Sequence, residues 1–236
     1  MIYEINSDAL ILSDSHSQYN RMELIKVLQN LNPIPSQIIL LGDILNLLIG
    51  SIKSSIKQNQ DALQVLEELS KKTKILYLEG NHDFNLSPIL KNAMKIQRGV
   101  QPIICRFKCK YLLLAHGDIF LSKKYEIYAK VLRSYLLTLM LKIIDFLSFG
   151  RVYNYIAKKV QNKTIKIPNK SQIDSVIQKR IIAYEKYMQK KNIKVDYVIE
   201  GHFHMKKRKK TKDFLYIAMP PYLYDKKIYT LNELMD

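Results

Sequence analysis

A chain of 236 residues, 47% apolar and 25% charged, is long enough for a sizeable core and too apolar to be disordered. Its net charge of +17 favours anionic partners, and two cysteines are too few for a disulfide framework. Residues 1–6 show no basic segment followed by an apolar run, so no signal peptide is expected.

The elements are predicted in a regular alternation. Residues 9–13 form a short apolar run that ends at Asp14. From Arg21 to Leu31 apolar residues recur at helical spacing and stop before Pro33. Residues 37–41 read as a buried strand leading to Gly42-Asp43. A helix with Ala62, Leu63, Leu66 and Leu69 on one face follows, then a strand over 74–79 that delivers Gly80-Asn81-His82-Asp83. Cys105 and Cys109, four apart on a further predicted strand, are expected to share a side as ordinary thiols. Residues 111–115 deliver His116, residues 195–200 deliver Gly201-His202-Phe203-His204, and 214–218 form a late strand before Pro220-Pro221.

Residues 119–194 break this rhythm. Two long helices are predicted, over roughly 123–160 and 171–192, with Pro168-Asn169 between them. Residues 121–194 carry 17 basic and 4 acidic side chains, so +13 of the net charge lies in this stretch. Such a block suits a nucleic acid, an anionic membrane face or a phosphorylated substrate. Tyr135 to Phe149 is largely apolar, but Arg133, Lys142 and Asp145 leave no window of about twenty residues free of charge, and a membrane-spanning helix is not expected.

All five histidines fall in the polar clusters at predicted strand ends. Asp14, His16, Asp43, Asn81, His116, His202 and His204 offer two carboxylates, one amide oxygen and four imidazoles. That set exceeds the need of one tetrahedral zinc and suits two divalent ions sharing a carboxylate. Two such ions can hold a hydroxide between them and clamp both oxygens of an in-line phosphoryl displacement.

These ordered motifs, Asp-x-His, Gly-Asp, Gly-Asn-His-Asp, a later His and Gly-His-x-His, resemble the calcineurin-like metallophosphoesterase family over residues 10–204. The resemblance implies an α/β fold, a two-sheet sandwich flanked by helices, with residues 1–118 and 195–236 as catalytic domain and 119–194 as a basic helical lid. It implies that Asp14, His16, Asp43 and His204 hold one ion, and that Asp43 bridges to a second held by Asn81, His116 and His202. The ions would be manganese, or iron or zinc. His82 and Asp83 would be catalytic, with His82 protonating the leaving oxygen or steadying phosphate charge.

Within the family the layout is most similar to UDP-2,3-diacylglucosamine hydrolase of lipid A biosynthesis. The implied reaction is attack on the α-phosphorus, giving UMP and 2,3-diacylglucosamine 1-phosphate. Leu136, Leu137, Met140, Ile143 and Ile144 would line an acyl groove. Lys123, Lys124, Lys163, Lys166 and Lys170 would meet the diphosphate or an anionic inner membrane, from a peripheral position on its cytoplasmic face. No obligate protein partner is expected. The chain departs from that enzyme in having His82 where it has arginine, and in the basic run Lys206–Lys210. The alternatives are a metallophosphoesterase of a nucleotide, phosphoprotein or nucleic-acid phosphodiester, and a non-catalytic nucleic-acid binder. No aromatic residues interleave with the basic run, which argues against a stacking platform.

Overall fold

The computed structural model describes residues 1–18, 22–162 and 170–235, without the side chains of residues 170 and 171. In chain order, β1 (Ile2–Ile5), β2 (Leu10–Leu12), α1 (Glu23–Gln29), β3 (Gln37–Leu40), β4 (Leu48–Ile49), α2 (Lys53–Gln58), α3 (Gln60–Ser70) and β5 (Lys74–Leu78) come first. They are followed by β6 (Asp83–Phe84), β7 (Met94–Ile96), β8 (Ile103–Phe107) and β9 (Lys110–Ala115). Four helices come next, α4 (Lys123–Leu132), α5 (Tyr135–Leu147), α6 (Arg151–Gln161) and α7 (Lys170–Lys191). The chain closes with β10 (Tyr197–Glu200), β11 (Lys207–Lys210), β12 (Leu215–Ala218), α8 (Tyr222–Asp225), β13 (Tyr229–Thr230) and α9 (Leu231–Met235).

Two mixed sheets stack face to face. One has the order β13-β2-β3-β5-β7, parallel except for β13; the other is β1-β8-β9-β10-β12-β11. Because side chains alternate along a strand, each strand feeds two cores. On β3, Ile39 joins the core between the sheets while Ile38 and Leu40 face the helices. On β9, Leu112 and Leu114 point between the sheets while Leu113 points outward. Strands buried on both faces read as continuous apolar runs, which is why these were legible.

Helices cover both outer faces. Leu24, Ile25 and Leu28 of α1 and Ala62, Leu63, Leu66 and Leu69 of α3 cover the five-stranded sheet. Ile177, Ile181, Tyr184 and Met188 of α7 cover the six-stranded one, against Leu113, Val198 and Tyr216. Thus α7 packs as an outer layer of the sandwich, while α4, α5 and α6 sit over its edge. There Tyr153 and Ala157 of α6 meet Ile52.

Two expectations change. The helix predicted over 123–160 is three helices, since Ser122 and Ser134 cap α4 and α5 by accepting the backbone N–H of Tyr125 and Leu137. Gly150 breaks the chain again at φ +77°, where any side chain would collide with Ser54 Oγ. Cys109 does not share a side with Cys105: it is exposed in the turn after β8, while Cys105 is buried between the sheets. The basic run contains an edge strand, β11, which pairs with β12 alone among the described residues and has every residue exposed. Lysines on such an edge discourage pairing with other chains. Among the described residues, no helix is long and apolar enough to cross a membrane.

Candidate metal centre

The C-terminal ends of β2, β3, β5, β9 and β10 converge, and each delivers one cluster. Asp14 follows β2, Asp43 follows β3, Asn81 and His82 follow β5, His116 follows β9, and His202 follows β10. Their ligand atoms gather into three sets, each lying within 4.8 Å of one another: Asp14, His16 and His204; Asp43, His116 and His202; and His16, Asp43 and His82. Asn81 joins through its amide oxygen, 3.3 Å from His116 Nε2. All seven predicted ligands therefore meet, with Asp43 as the carboxylate common to both halves.

The backbone is bent to achieve this. Asp14, His16, Asp43, His202 and His204 all have positive φ, between 45° and 68°. Such left-handed conformations are costly for residues other than glycine, and their clustering marks a site that the surrounding fold enforces. Gly80 has no room for a side chain, because a Cβ would run into Asp43 Oδ1.

Hydrogen bonds fix the donor atoms. The N–H of His202 donates to Asp14 at 2.9 Å, and that of His82 donates to Asp43 Oδ1 at 2.8 Å. His116 Nδ1 lies 2.7 Å from the carbonyl of Leu41. A carbonyl only accepts, so Nδ1 carries the proton and Nε2 faces Asp43 Oδ2 at 3.5 Å.

The charges fit divalent cations. Burial opposes ionisation of Asp14 and Asp43, but the surrounding imidazoles overcome it and hold both below the usual carboxylate range. Burial pushes His16 and His202 down to about 4, leaving neutral rings. Burial also acts against a proton on His116, but Asp43 and Asp14 outweigh it and raise that ring to about 9. His16 and His204 present Nε2 atoms to each other at 3.2 Å, with Asp14 Oδ1 3.3 Å from His204 Nε2. Ring nitrogens facing each other beside carboxylates form a donor set that cations satisfy.

His82 and Asp83 part company. His82 is half-buried, and its Nδ1 donates to the carbonyl of Asn46 at 2.6 Å, which leaves Nε2 without a hydrogen bond among the described residues. Its ring packs edge-on to His16 at 4.7 Å between centroids. Asp83 is fully buried, and its oxygens accept from the backbone of Gly80, Asp43 and Ile44 and from the Tyr77 hydroxyl. With its acceptor positions filled from inside the protein, it positions the Gly42-Asp43 turn and is not placed to touch a substrate.

Beside Asn81 and His82 opens a cavity of about 440 Å³ with largely apolar walls. Leu47, Ile49 and Ile52 form one side, and Leu132, Leu141, Ile144, Val152 and Ile156 of α4 to α6 form the other. Of the five residues expected to line an acyl groove, only Ile144 does so. Leu136, Met140 and Ile143 face outward, because the helical period turns them away from the catalytic fold. Lys123 and Lys124 are exposed on the first turn of α4 and do not line the cavity. Lys163 and Lys166 lie outside the described residues, as does the side chain of Lys170. The cationic residue that does line it, Arg133, was legible only as a charge interrupting an apolar helix.

Converging strand ends, a shared carboxylate and this donor set define a metal-dependent phosphoesterase. The chain belongs to the calcineurin-like phosphoesterase family, which matches residues 9–206. No curated protein matches it closely. Similar solved structures include an archaeal phosphodiesterase, at 14% identity over 96% of this chain and 94% of that one, with a TM-score of 0.43. The phosphopantetheinyl hydrolase of Mycobacterium tuberculosis is 10% identical over 96% and 95%, with a TM-score of 0.42. A predicted phosphoesterase of Streptococcus pneumoniae is 11% identical over 90% and 71%, with a TM-score of 0.40.

Proposed function

We propose that the protein hydrolyses the diphosphate of UDP-2,3-diacylglucosamine, releasing UMP and 2,3-diacylglucosamine 1-phosphate. The observation that carries this reading is the apolar cavity that adjoins Asn81 and His82. A phosphoesterase acting on a small polar ester has no use for an apolar wall beside its reactive centre, whereas an acyl chain gains by filling one.

In this reading Asp14, His16, Asp43 and His204 hold one divalent ion, and Asp43, Asn81, His116 and His202 hold the second. Bound manganese ions would activate water near neutral pH and neutralise charge on the phosphoryl oxygens. His82 Nε2, aimed by the Asn46 carbonyl, meets the oxygen that leaves or the charge developing beside it. The outward apolar side chains of α4 to α6, within the +13 segment, set the protein on an anionic membrane, where such a substrate resides.

The test is UMP release from UDP-2,3-diacylglucosamine by manganese-loaded protein. Turnover is expected, and Asp43→Ala is expected to abolish it together with metal binding. Hydrolysis of bis(p-nitrophenyl) phosphate with no action on the lipid nucleotide would overturn the substrate and leave the metal centre standing. It would then favour another phosphodiester, of a nucleotide or a nucleic acid.

A further inference from the structure

We propose that Arg133 binds the phosphate that stays with the lipid, and so selects phosphoryl groups attached to long apolar chains. This rests on the substrate reading above and assigns a contact to it. Arg133 is the only arginine or lysine among the described residues that line the cavity, and Asn81 and His82 line it too. A lone guanidinium beside the metal centre, with apolar walls leading away from it, matches an amphiphilic phosphate in both charge and shape.

The guanidinium is held in place from several sides. It closes α4 as the C-cap residue, and Nη2 donates to the carbonyl of Gly80 at 2.8 Å. Nη1 donates to the carbonyl of Ala129 at 3.2 Å, and the group lies 5.0 Å over the ring of Phe84. One carboxylate oxygen of Asp118 is 3.7 Å from Nη2, but Arg98 Nε holds the same oxygen at 2.8 Å. Asp118 is therefore shared and does not neutralise Arg133 by itself. Asp145, the carboxylate among the described lining residues, accepts from the backbone of Ser54.

Of the five guanidinium N–H groups, the carbonyls of Gly80 and Ala129 take two. Arg133 Nε is buried and has no hydrogen-bond partner among the described residues. A buried N–H without an acceptor costs about 1–3 kcal/mol, and natural structures rarely tolerate one without a purpose. Guanidinium offers five donors in a planar fork, and phosphate is the acceptor that takes two of them at once. In the cleavage, the oxygen of water adds to the α-phosphorus and its proton passes to solvent. The bond from that phosphorus to the bridging oxygen breaks, and its electron pair leaves with the lipid phosphate. Arg133 meets that added negative charge.

Binding to the full chain separates this role from a structural one. With metal removed by EDTA, the protein is titrated with dodecyl phosphate and with the uncharged dodecyl maltoside. Arg133→Met is expected to weaken dodecyl phosphate about 10- to 100-fold, with Arg133→Lys in between and dodecyl maltoside unchanged. In metal-loaded protein, Arg133→Met should lower kcat/KM for the lipid nucleotide by a similar factor, and Arg133→Lys should restore part of it. Equal losses for both amphiphiles would make Arg133 a structural residue, and no loss for either would remove it from the site. If the native protein binds neither amphiphile, the lipid reading itself fails. The phosphate contact is then judged by whether Arg133→Met relieves inhibition of diester hydrolysis by inorganic pyrophosphate; unchanged inhibition overturns it.

Discussion

The backbone N–H of Asp43 donates to the carboxylate of Asp83 at 2.9 Å, so a buried acid that holds no metal sets the angle of the one that serves both halves. Burial and the nearby Asp43 charge push Asp83 up to about 7, and the Tyr77 hydroxyl and backbone donors work against that rise. Asp83→Asn replaces an acceptor oxygen with an NH2 group that faces backbone N–H groups. A loss of about 2–3 kcal/mol is expected, with a melting point several degrees lower. Metal stoichiometry, measured by plasma emission, should fall with it. A variant that keeps its metals and stability but loses turnover would instead make Asp83 a catalytic residue.

His82 should behave in the opposite way. Its Nδ1 is committed to Asn46 and its Nε2 has no hydrogen bond among the described residues, so His82→Ala removes a group from the reaction and leaves the fold intact. Turnover is expected to drop about 10²- to 10⁴-fold while two metals remain bound. His82 also lies within reach of His16 and Asp43, so the alternative is concrete. Loss of one metal equivalent in the variant would show that His82 is a ligand.

The metal centre was legible because every ligand follows an apolar strand in the sequence. A strand buried on both faces has no polar residue until it ends, so Asp14, Asp43, Asn81, His116 and His202 stand out where the runs stop. The strands β1, β7 and β8 left weaker signals. Exposed Met94 and Arg106 interrupt their patterns, and β1 lies on an edge. Arg133 could not be assigned, because its role depends on Gly80 and Phe84, some fifty residues earlier in the chain. The groove failed for a related reason: apolar residues at helical spacing look alike whether they face a cavity or solvent. Packing against Leu47 and Ile52 decides which side of α5 and α6 turns inward.

The Gly-His-Phe-His turn is braced from α7. Glu200 is fully buried and accepts from Arg180 Nε and Nη2 at 2.8 and 2.7 Å, and from the hydroxyls of Tyr184 and Tyr216. Arg180 also lies 5.1 Å over the ring of Phe203. Arg180→Met strands a buried carboxylate and should cost about 3–5 kcal/mol. Adding Glu200→Gln removes the uncompensated charge, and chemical denaturation is expected to show partial recovery. Additive losses in the double variant would show that the two residues are not coupled.

The outer face of α5 and its neighbours gives the remaining prediction. Phe149 is 87% exposed, Tyr135 78%, Phe146 74% and Leu136 72%. Lys142, Arg151, Lys158 and Lys159 belong to the same helices or their ends. Apolar side chains left this open cost solubility unless another phase receives them, and the basic neighbours point to an anionic bilayer. Cosedimentation with vesicles of phosphatidylglycerol and phosphatidylethanolamine is expected, and it should weaken as salt rises. Leu136→Glu with Phe146→Glu removes two inserting side chains and adds two negative charges. Burying one such side chain is worth about 1.5–3 kcal/mol, so a loss of at least about tenfold in vesicle partitioning is expected. Neither residue lines the cavity or touches the metal centre, so hydrolysis of bis(p-nitrophenyl) phosphate should be unchanged. Native protein that stays in the supernatant, or a double variant that sediments as well as the native chain, would remove the membrane from this account.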